Sequence, residues 1–316
     1  MKSTRQRESL DRGLIWGFES GLLQTRRVSS GAGHRVAASP TSGRGLPLVG
    51  AVVETTKRPR YRLTVTLSDA AAADAAAHLA RLDSLAPGQV RAVHVIGSAV
   101  LDDYHPGTSD LDLVIELARE PSEADLRVLL DAHVGAGANV EGTYVASGKL
   151  ADPEPAASLL SDGVVHFATK KLHAVTRLQL ARYSATIRGD APEIEPDIEA
   201  AQEFCKRNLV SYWQDWLTGG PRIMLRYAPA PLTPRWLWTV VWVGLGPARL
   251  WRTINTGEIV SKSRAGELAA EHWPDLSEQL LDIVAERAGK PVKLGNKHGR
   301  AAVDVGRRIM AEVGVG

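Results

Sequence analysis

Two aspartates, Asp110 and Asp112, stand two residues apart in the apolar stretch 110–116, which has the composition of a β-strand. Side chains two apart on a strand point to the same face, so the two carboxylates are expected to lie side by side. Two like charges that close repel each other unless a cation lies between them. Mg²⁺ prefers oxygen ligands and binds one or two carboxylates together with substrate phosphates. The spacing therefore predicts a metal site at Asp110 and Asp112.

A Gly-Ser pair, Gly97 and Ser98, follows the apolar stretch 90–96 and is separated from Asp110 by eleven residues. Glycine permits close approach of a ligand, and the backbone amides and the Ser98 hydroxyl could contact a phosphate group. A Gly-Ser pair alone is usually a turn, and a lone Asp-x-Asp is usually a solvated strand edge. The ordered combination is more selective, and it predicts a phosphate site beside the metal site.

The elements that must hold these residues follow from the apolar periodicity. Ser68 and Asp69 are a plausible N-cap for an Ala-rich helix, and Pro106 and Gly107 break the loop before the aspartates. The patterns predict strands over 61–67, 90–96, 110–116 and 139–145, with helices over 70–82 and 121–133.

From about His166 onward the periodicity is helical, and strand patterns nearly vanish. Helices are predicted over 172–187, 196–217, 236–253, 261–272 and 276–287. A β-rich part followed by a helical part predicts an α+β protein of two domains. We assign a disordered leader to 1–60, an α/β domain to 61–163, a helical domain to 164–290 and a C-terminal segment to 291–316.

Charge is unevenly distributed along the 316 residues. Residues 1–60 contain 11 Lys and Arg against 4 Asp and Glu, without helical or strand periodicity, so a disordered basic leader is predicted there. The remaining residues contain 27 basic and 32 acidic side chains. This part lacks the basic excess typical of nucleic-acid-binding proteins, so we do not expect a nucleic-acid partner.

The single cysteine, Cys205, cannot form an internal disulfide. No apolar stretch approaches the roughly 20 residues of a membrane helix, and the start of the chain lacks the pattern of a secretion signal. We therefore expect a cytoplasmic protein without a membrane partner, and we expect a monomer.

The block from His94 to Val114, with its Gly-Ser and Ser-Asp-Leu-Asp-Leu segments, resembles the nucleotidyltransferase superfamily of DNA polymerase β, poly(A) polymerases and antibiotic-modifying enzymes. It is most similar to the aminoglycoside adenylyltransferases that act on streptomycin and spectinomycin. The resemblance implies a polymerase β-like domain with a small mixed sheet, followed by a helical bundle. It also implies that Asp110 and Asp112 bind Mg²⁺ and the triphosphate of ATP, and we expect two Mg²⁺ ions.

Further residues receive roles through the same resemblance. Glu141, in a segment similar to the strand that carries the family's catalytic glutamate, would be the general base, and Glu154 is the weaker candidate. Arg249 and Lys262 match the arginine and lysine that reach the nucleotide phosphates across the cleft. The implied reaction transfers AMP from ATP to a hydroxyl of a small molecule, which would make the protein an antibiotic-resistance enzyme.

The acceptor pocket departs from the family pattern. Trp236 takes the position of a family tryptophan, whereas Arg235 and Thr239 stand where the streptomycin-modifying relatives have two aspartates. A cation and a neutral hydroxyl there would oppose binding of a guanidinium-bearing sugar. The tryptophans of 235–242 could line a pocket or pack in the core. Alternatives are therefore a non-aminoglycoside or protein acceptor, or a non-catalytic nucleotide-binding partner.

Overall fold

The computed structural model describes residues 65–134, 139–153, 155–161, 164–227 and 233–315, without the side chains of 164–170. The basic leader predicted over 1–60 and Glu154, the weaker candidate for the base, lie outside the described residues. Of the strand predicted over 61–67, only Val65, Thr66 and Leu67 are described, and they form no strand.

A six-stranded mixed sheet forms the centre of the first domain, in the order β5-β4-β3-β2-β1-β6. Strands β2 and β3 pair in parallel, and every other neighbouring pair is antiparallel. The strands are β1 (Val90–Val95), β2 (Leu111–Leu117), β3 (Val140–Ala146), β4 (Ala156–Ser161), β5 (Val164–Lys171) and β6 (Ala185–Arg188).

Two helices, α1 (Asp69–Leu85) and α2 (Glu123–His133), cover one face of this sheet. The Ser68 hydroxyl caps α1 by accepting the amide of Ala71, as the sequence predicts, and Ser122 with Asp125 forms a capping box on α2. Leu111, Leu113 and Ile115 of β2 pack on this side. Residues of the opposite parity, such as Val114, therefore face the other side of the sheet.

That second side of the sheet contacts α3 (Ala174–Arg182), which joins the two domains. Leu180 and Ala181 of α3 pack with Val114 of the sheet, whereas Val175 and Leu178 belong to the core of the helical domain. Because α3 lies between the sheet and the bundle, side chains of even parity on β2 point toward the helical domain.

The helical domain contains a long central helix, α7 (Pro234–Thr256), with Thr233 as its N-cap. Around it lie α4 (Ile198–Asn208), α5 (Gln214–Thr218), α6 (Gly220–Tyr227), α8 (Lys262–His272), α9 (Ser277–Arg287) and α10 (Asn296–Glu312), with a π-turn at Leu209–Trp213. The predicted α+β architecture is confirmed. None of the helices in the described parts of the chain is long and apolar enough to span a membrane.

The structure corrects the predicted boundaries. The division between residues 163 and 164 is wrong for the sheet, because β5 pairs with β4 and β6 pairs with β1. The helix predicted over 172–187 is only Ala174–Arg182, since the chain then enters β6. The segment predicted over 291–316 contains α10, which supplies Ala302, Val305 and Ile309 to the bundle core.

Candidate active site

The three predicted carboxylates meet at one end of the parallel pair β2–β3. Asp112 is the register partner of Glu141 across the two strands, and Asp110 precedes β2 by one residue. Asp112 lies on the same face of the sheet as Val114, and Glu141 lies on the same face as Val145. Both carboxylates therefore face the helical domain. Glu141 is buried, and Asn139 donates a hydrogen bond to the Asp110 carboxylate.

Burial and the neighbouring Asp110 charge raise the pKa of Asp112, while Lys262, Arg249 and Arg287 act in the opposite direction. The carboxylate pair is thus held where its combined negative charge is poorly solvated. A bound divalent cation would stabilise both charges.

Gly97 lies at the end of β1, directly against Asp112. Its φ is +70°, and a Cβ added there would be 1.9 Å from Oδ2 of Asp112. Only glycine both adopts this left-handed conformation easily and leaves the carboxylate its room. The Gly97 amide, predicted to be open to phosphate, instead donates to Oε1 of Gln179 on α3 at 3.0 Å. Gly97 therefore contributes space, and Ser98 lines the cleft beside it.

Two cations face the carboxylates from the helical domain. Arg249 on α7 is 9% exposed, and its Nε donates to the Val260 carbonyl at 3.3 Å. Lys262 is the first residue of α8, and its Nζ lies 5.4 Å from the ring centroid of Trp242. Burial lowers the pKa of Arg249 to about 10. Burial and the charges of Arg287 and Arg249 lower the pKa of Lys262, and Asp110 and Asp112 counteract this.

A single cleft of about 520 Å³ joins these groups between the sheet and the bundle. Its lining includes all seven residues to which the sequence analysis gave nucleotide, metal or base roles: Gly97, Ser98, Asp110, Asp112, Glu141, Arg249 and Lys262.

The three residues expected in the acceptor pocket do not line this cleft. Trp236 is 2% exposed and packs in the bundle core, and Thr239 is buried with its hydroxyl donating to the Arg235 carbonyl at 2.7 Å. The Arg235 side chain is exposed to solvent. The prediction of these positions is wrong, because the cleft-facing side of α7 carries Leu237, Trp238, Val241 and Trp242 instead.

Three further residues at the site, Arg287, Asp103 and Gln179, were not predicted from the sequence. Arg287, near the end of α9, lines the cleft and forms a buried ion pair with Asp103, which lies 184 residues earlier in the chain. A helix-terminal arginine and a loop aspartate are ordinarily solvated, so no signal in the sequence distinguishes this pair. Gln179 could have been suspected only from its place in an otherwise apolar part of α3.

In the described part of the chain, no group of three or more His, Cys, Asp or Glu side chains is arranged to hold a metal ion by itself. The pair Asp110 and Asp112 is nevertheless the donor set that Mg²⁺ uses when substrate phosphates complete its coordination. The residues present therefore fit a metal that binds together with a nucleotide.

Comparisons with known proteins concern the first domain and the fold. A family model described as the nucleotidyltransferase domain matches residues 77–166, a range that contains Gly97, Ser98, Asp110, Asp112 and Glu141. The match covers the part of the first domain that carries the three carboxylates, and it supports a nucleotidyltransferase domain there. A search of curated proteins gives no match.

Among solved structures, the chain is similar to the spectinomycin adenyltransferase AAD(9) from Enterococcus faecialis, determined with ATP and spectinomycin. The TM-score is 0.53 at 15% identity, and the match covers 75% of this chain and 98% of that chain. At this identity the similarity concerns the fold, and it extends over both the sheet and the helical domain.

Proposed function

We propose that the protein transfers AMP from ATP to a hydroxyl group of a small molecule and releases pyrophosphate. The observation that supports this most is the meeting of three carboxylates, Asp110, Asp112 and Glu141, with two cations from the helical domain, Arg249 and Lys262, in one cleft. A nucleotide-binding scaffold without activity would have no need for a third carboxylate beside the metal pair.

Asp110 and Asp112 would hold Mg²⁺, and two ions are our working expectation. When bound, the metal would lower the cost of charge on the attacking and leaving oxygens. Gly97 leaves Asp112 the room to turn its carboxylate toward the cleft, and Asn139 orients Asp110 through its amide.

The protein side chains would carry the remaining steps. Glu141 takes the proton from the acceptor hydroxyl, and that oxygen forms a new bond to the α-phosphorus as the bond to pyrophosphate breaks. Arg249 and Lys262 bind the triphosphate and offset the negative charge that grows on the leaving pyrophosphate. The buried position of Arg249 and the half-buried position of Lys262 strengthen these interactions, because a site shielded from water screens charge less.

Aminoglycoside-type antibiotics are the first candidate acceptors. The proposal rests on the similarity of the fold to a structure that contains ATP and spectinomycin and on the sequence resemblance to enzymes of that class. Spectinomycin and streptomycin should therefore head any acceptor panel, and antibiotic resistance is the biological role that this candidate implies.

A second candidate, a non-aminoglycoside acceptor with an apolar face, is favoured by the wall of the cleft. Trp238 and Trp242 stack with ring centroids 5.7 Å apart and an interplanar angle of 15°. Leu237 and Val241 extend the apolar surface on the same side of α7. The described lining contains one further acidic residue, Glu286, besides the three carboxylates of the reaction. It contains four lysine and arginine residues: Lys171, Arg249, Lys262 and Arg287. Such a wall disfavours a polycation.

The test is incubation of the purified full chain with ATP, Mg²⁺ and a panel of streptomycin, spectinomycin and neutral aromatic and aliphatic hydroxyl compounds, with product mass as the readout. Asp112→Ala removes a metal ligand, and Asp131→Asn, at an exposed position on α2, is the control. We expect one AMP on at least one compound with the wild type and the control, and none with Asp112→Ala. Full activity of Asp112→Ala would refute the assignment.

A further inference from the structure

Asp103 is a buried aspartate in the loop that connects β1 to β2, between the phosphate-side residue Ser98 and the metal-side residue Asp110. It is 4% exposed, and it follows Asp102, whose φ of 54° lies in the left-handed region that non-glycine residues rarely adopt. A hydrogen bond joins Asp103 to the start of the loop, because the Asp103 amide donates to the Ser98 carbonyl at 3.1 Å. The position of Asp103 is therefore fixed relative to the catalytic sheet.

The side chain of Asp103 is bound by the helical domain. Its Oδ2 accepts the Ser263 amide at 3.2 Å and Nε of Arg287 at 3.1 Å, and its Oδ1 accepts the Ser263 hydroxyl at 2.5 Å. Arg287 also donates to the Asp103 carbonyl at 3.1 Å. His105, of the same loop, contacts Oδ1 at 3.1 Å. One carboxylate thus receives donors from the first turn of α8 and from the end of α9.

These donors adjoin the cations of the cleft. Ser263 directly follows Lys262, and the Ser261 hydroxyl caps the same first turn of α8 by accepting the Arg264 amide. Arg287 lines the cleft itself. The bonds to Asp103 therefore fix the start of α8, and with it the backbone of Lys262, against the loop that leads to Asp110.

We propose that Asp103 is a positioning residue that holds Lys262 and Arg287 at the correct distance from Asp110 and Asp112, so that nucleotide phosphates can contact both domains at once. This inference rests on the proposed nucleotide site. Asp103 is not among the residues that line the cleft, so it would act through Ser263 and Arg287.

A different role for Asp103 predicts the opposite change in ATP affinity when its charge is removed. If Asp103 acted only as a negative charge near the cleft, its neutralisation would leave Arg249, Lys262 and Arg287 less compensated and would tighten the binding of ATP. If Asp103 positions these cations, neutralisation leaves the buried Arg287 without its ion-pair partner and frees the first turn of α8, which weakens ATP binding. The direction of the change therefore distinguishes the two roles.

The experiment compares the full-length wild type with Asp103→Asn and Ser263→Ala. Binding of ATP with Mg²⁺ is measured by calorimetry, and amide hydrogen exchange is measured over residues 259–266. We expect the Kd for ATP to rise about tenfold in Asp103→Asn, the factor that corresponds to losing hydrogen bonds to a charged group. Exchange over 259–266 should be faster without any nucleotide present.

Ser263→Ala guards against the possibility that Asp103→Asn fails to fold, because it removes a hydroxyl donor and keeps both the charge and the helix. We expect an increase in Kd of about threefold, in line with the loss of one hydrogen bond. A loss of folded protein alone would reduce the number of binding sites without changing Kd. The control is Asp304→Asn, which breaks the ion pair of Asp304 with Arg226 between α10 and α6, outside the cleft.

An unchanged or lower Kd in both variants, or unchanged exchange over 259–266, overturns the role of Asp103. In that case the wild type still binds ATP, and the proposed function stands. If the wild type itself binds no ATP in the presence of Mg²⁺, the proposed function fails and this inference fails with it.

Discussion

Replacement of Gly97 by alanine tests how closely the end of β1 approaches the metal-side carboxylate. The new methyl group would lie 1.9 Å from Oδ2 and 2.8 Å from Cγ of Asp112, well inside any van der Waals contact. Either the Asp112 side chain leaves its rotamer or the strand end moves. A shift of about 1 Å in a reacting group is enough to lower activity by about 10²-fold.

Three contributions determine the change in stability, of which two destabilise the folded chain and one stabilises it. Alanine at a φ of +70° costs about 1–2 kcal/mol of backbone strain, and an off-rotamer Asp112 adds about 1 kcal/mol. Alanine also reduces the conformational freedom of the unfolded chain, which stabilises the folded state by about 0.4–1 kcal/mol. We therefore expect Gly97→Ala to lower the free energy of unfolding by about 1–2.6 kcal/mol, measured by urea denaturation.

The matched control is Gly88→Ala, in the turn before β1. Gly88 has a φ of +74°, and a Cβ there would meet nothing within 4 Å. It shares the backbone strain without the collision, so it should lose about as much backbone stability and retain ATP binding and AMP transfer. If Gly97→Ala binds ATP and transfers AMP as well as Gly88→Ala does, the claimed contact with Asp112 does not limit function.

Three further predictions concern other parts of the molecule. Glu141→Gln should reduce the AMP-transfer rate by about 10²–10⁴-fold while the Kd for ATP stays within about twofold; an unchanged rate would remove Glu141 as the base. Burial, followed by the charges of His133 and Arg81, lowers the pKa of His78 to about 3 from 6.5. Between these two pKa values the unfolded chain binds a proton at His78 that the folded chain does not. The free energy of unfolding is therefore about 1.4 kcal/mol lower at pH 5.5 than well above pH 6.5. Urea unfolding at pH 7 and 5.5 should show this loss in the wild type and a smaller one in His78→Leu. Thr239→Asp, which restores a carboxylate of the streptomycin-modifying relatives, should destabilise the bundle by at least about 3 kcal/mol because Thr239 is buried, without any gain in streptomycin binding by calorimetry.

The central strands of the sheet could be predicted from the sequence because they carry clear apolar patterns. The predicted segments 90–96, 110–116 and 139–145 correspond to β1, β2 and β3. Asp112 pairs in register with Glu141, whereas Asp110 lies one residue before β2. Strands β4, β5 and β6 were missed. Their residues mix small, polar and apolar types, and β6 is only four residues long, so tertiary pairing rather than local pattern decides their conformation.

The residues on the acceptor side of the cleft could not be predicted from the sequence in the same way. Residues of α7 are buried around most of its circumference, from Thr239 through Trp251, so the helix has no polar face that would reveal its rotation. Trp236 and Trp238 are equivalent in sequence terms, yet Trp236 packs in the core and Trp238 lines the cleft. The pair Asp103 and Arg287 depends on domain packing, which residue types alone do not encode.

Transfer of a labelled phosphate from ATP tests the central claim most directly. The purified chain is incubated with Mg²⁺ and the acceptor panel, once with ATP labelled at the α-phosphorus and once with ATP labelled at the γ-phosphorus. Adenylyl transfer predicts that the α-label moves to the acceptor while the γ-label leaves as pyrophosphate, and that Asp112→Ala does neither. Movement of the γ-label to the acceptor, or binding of ATP without transfer of either label, would contradict the account.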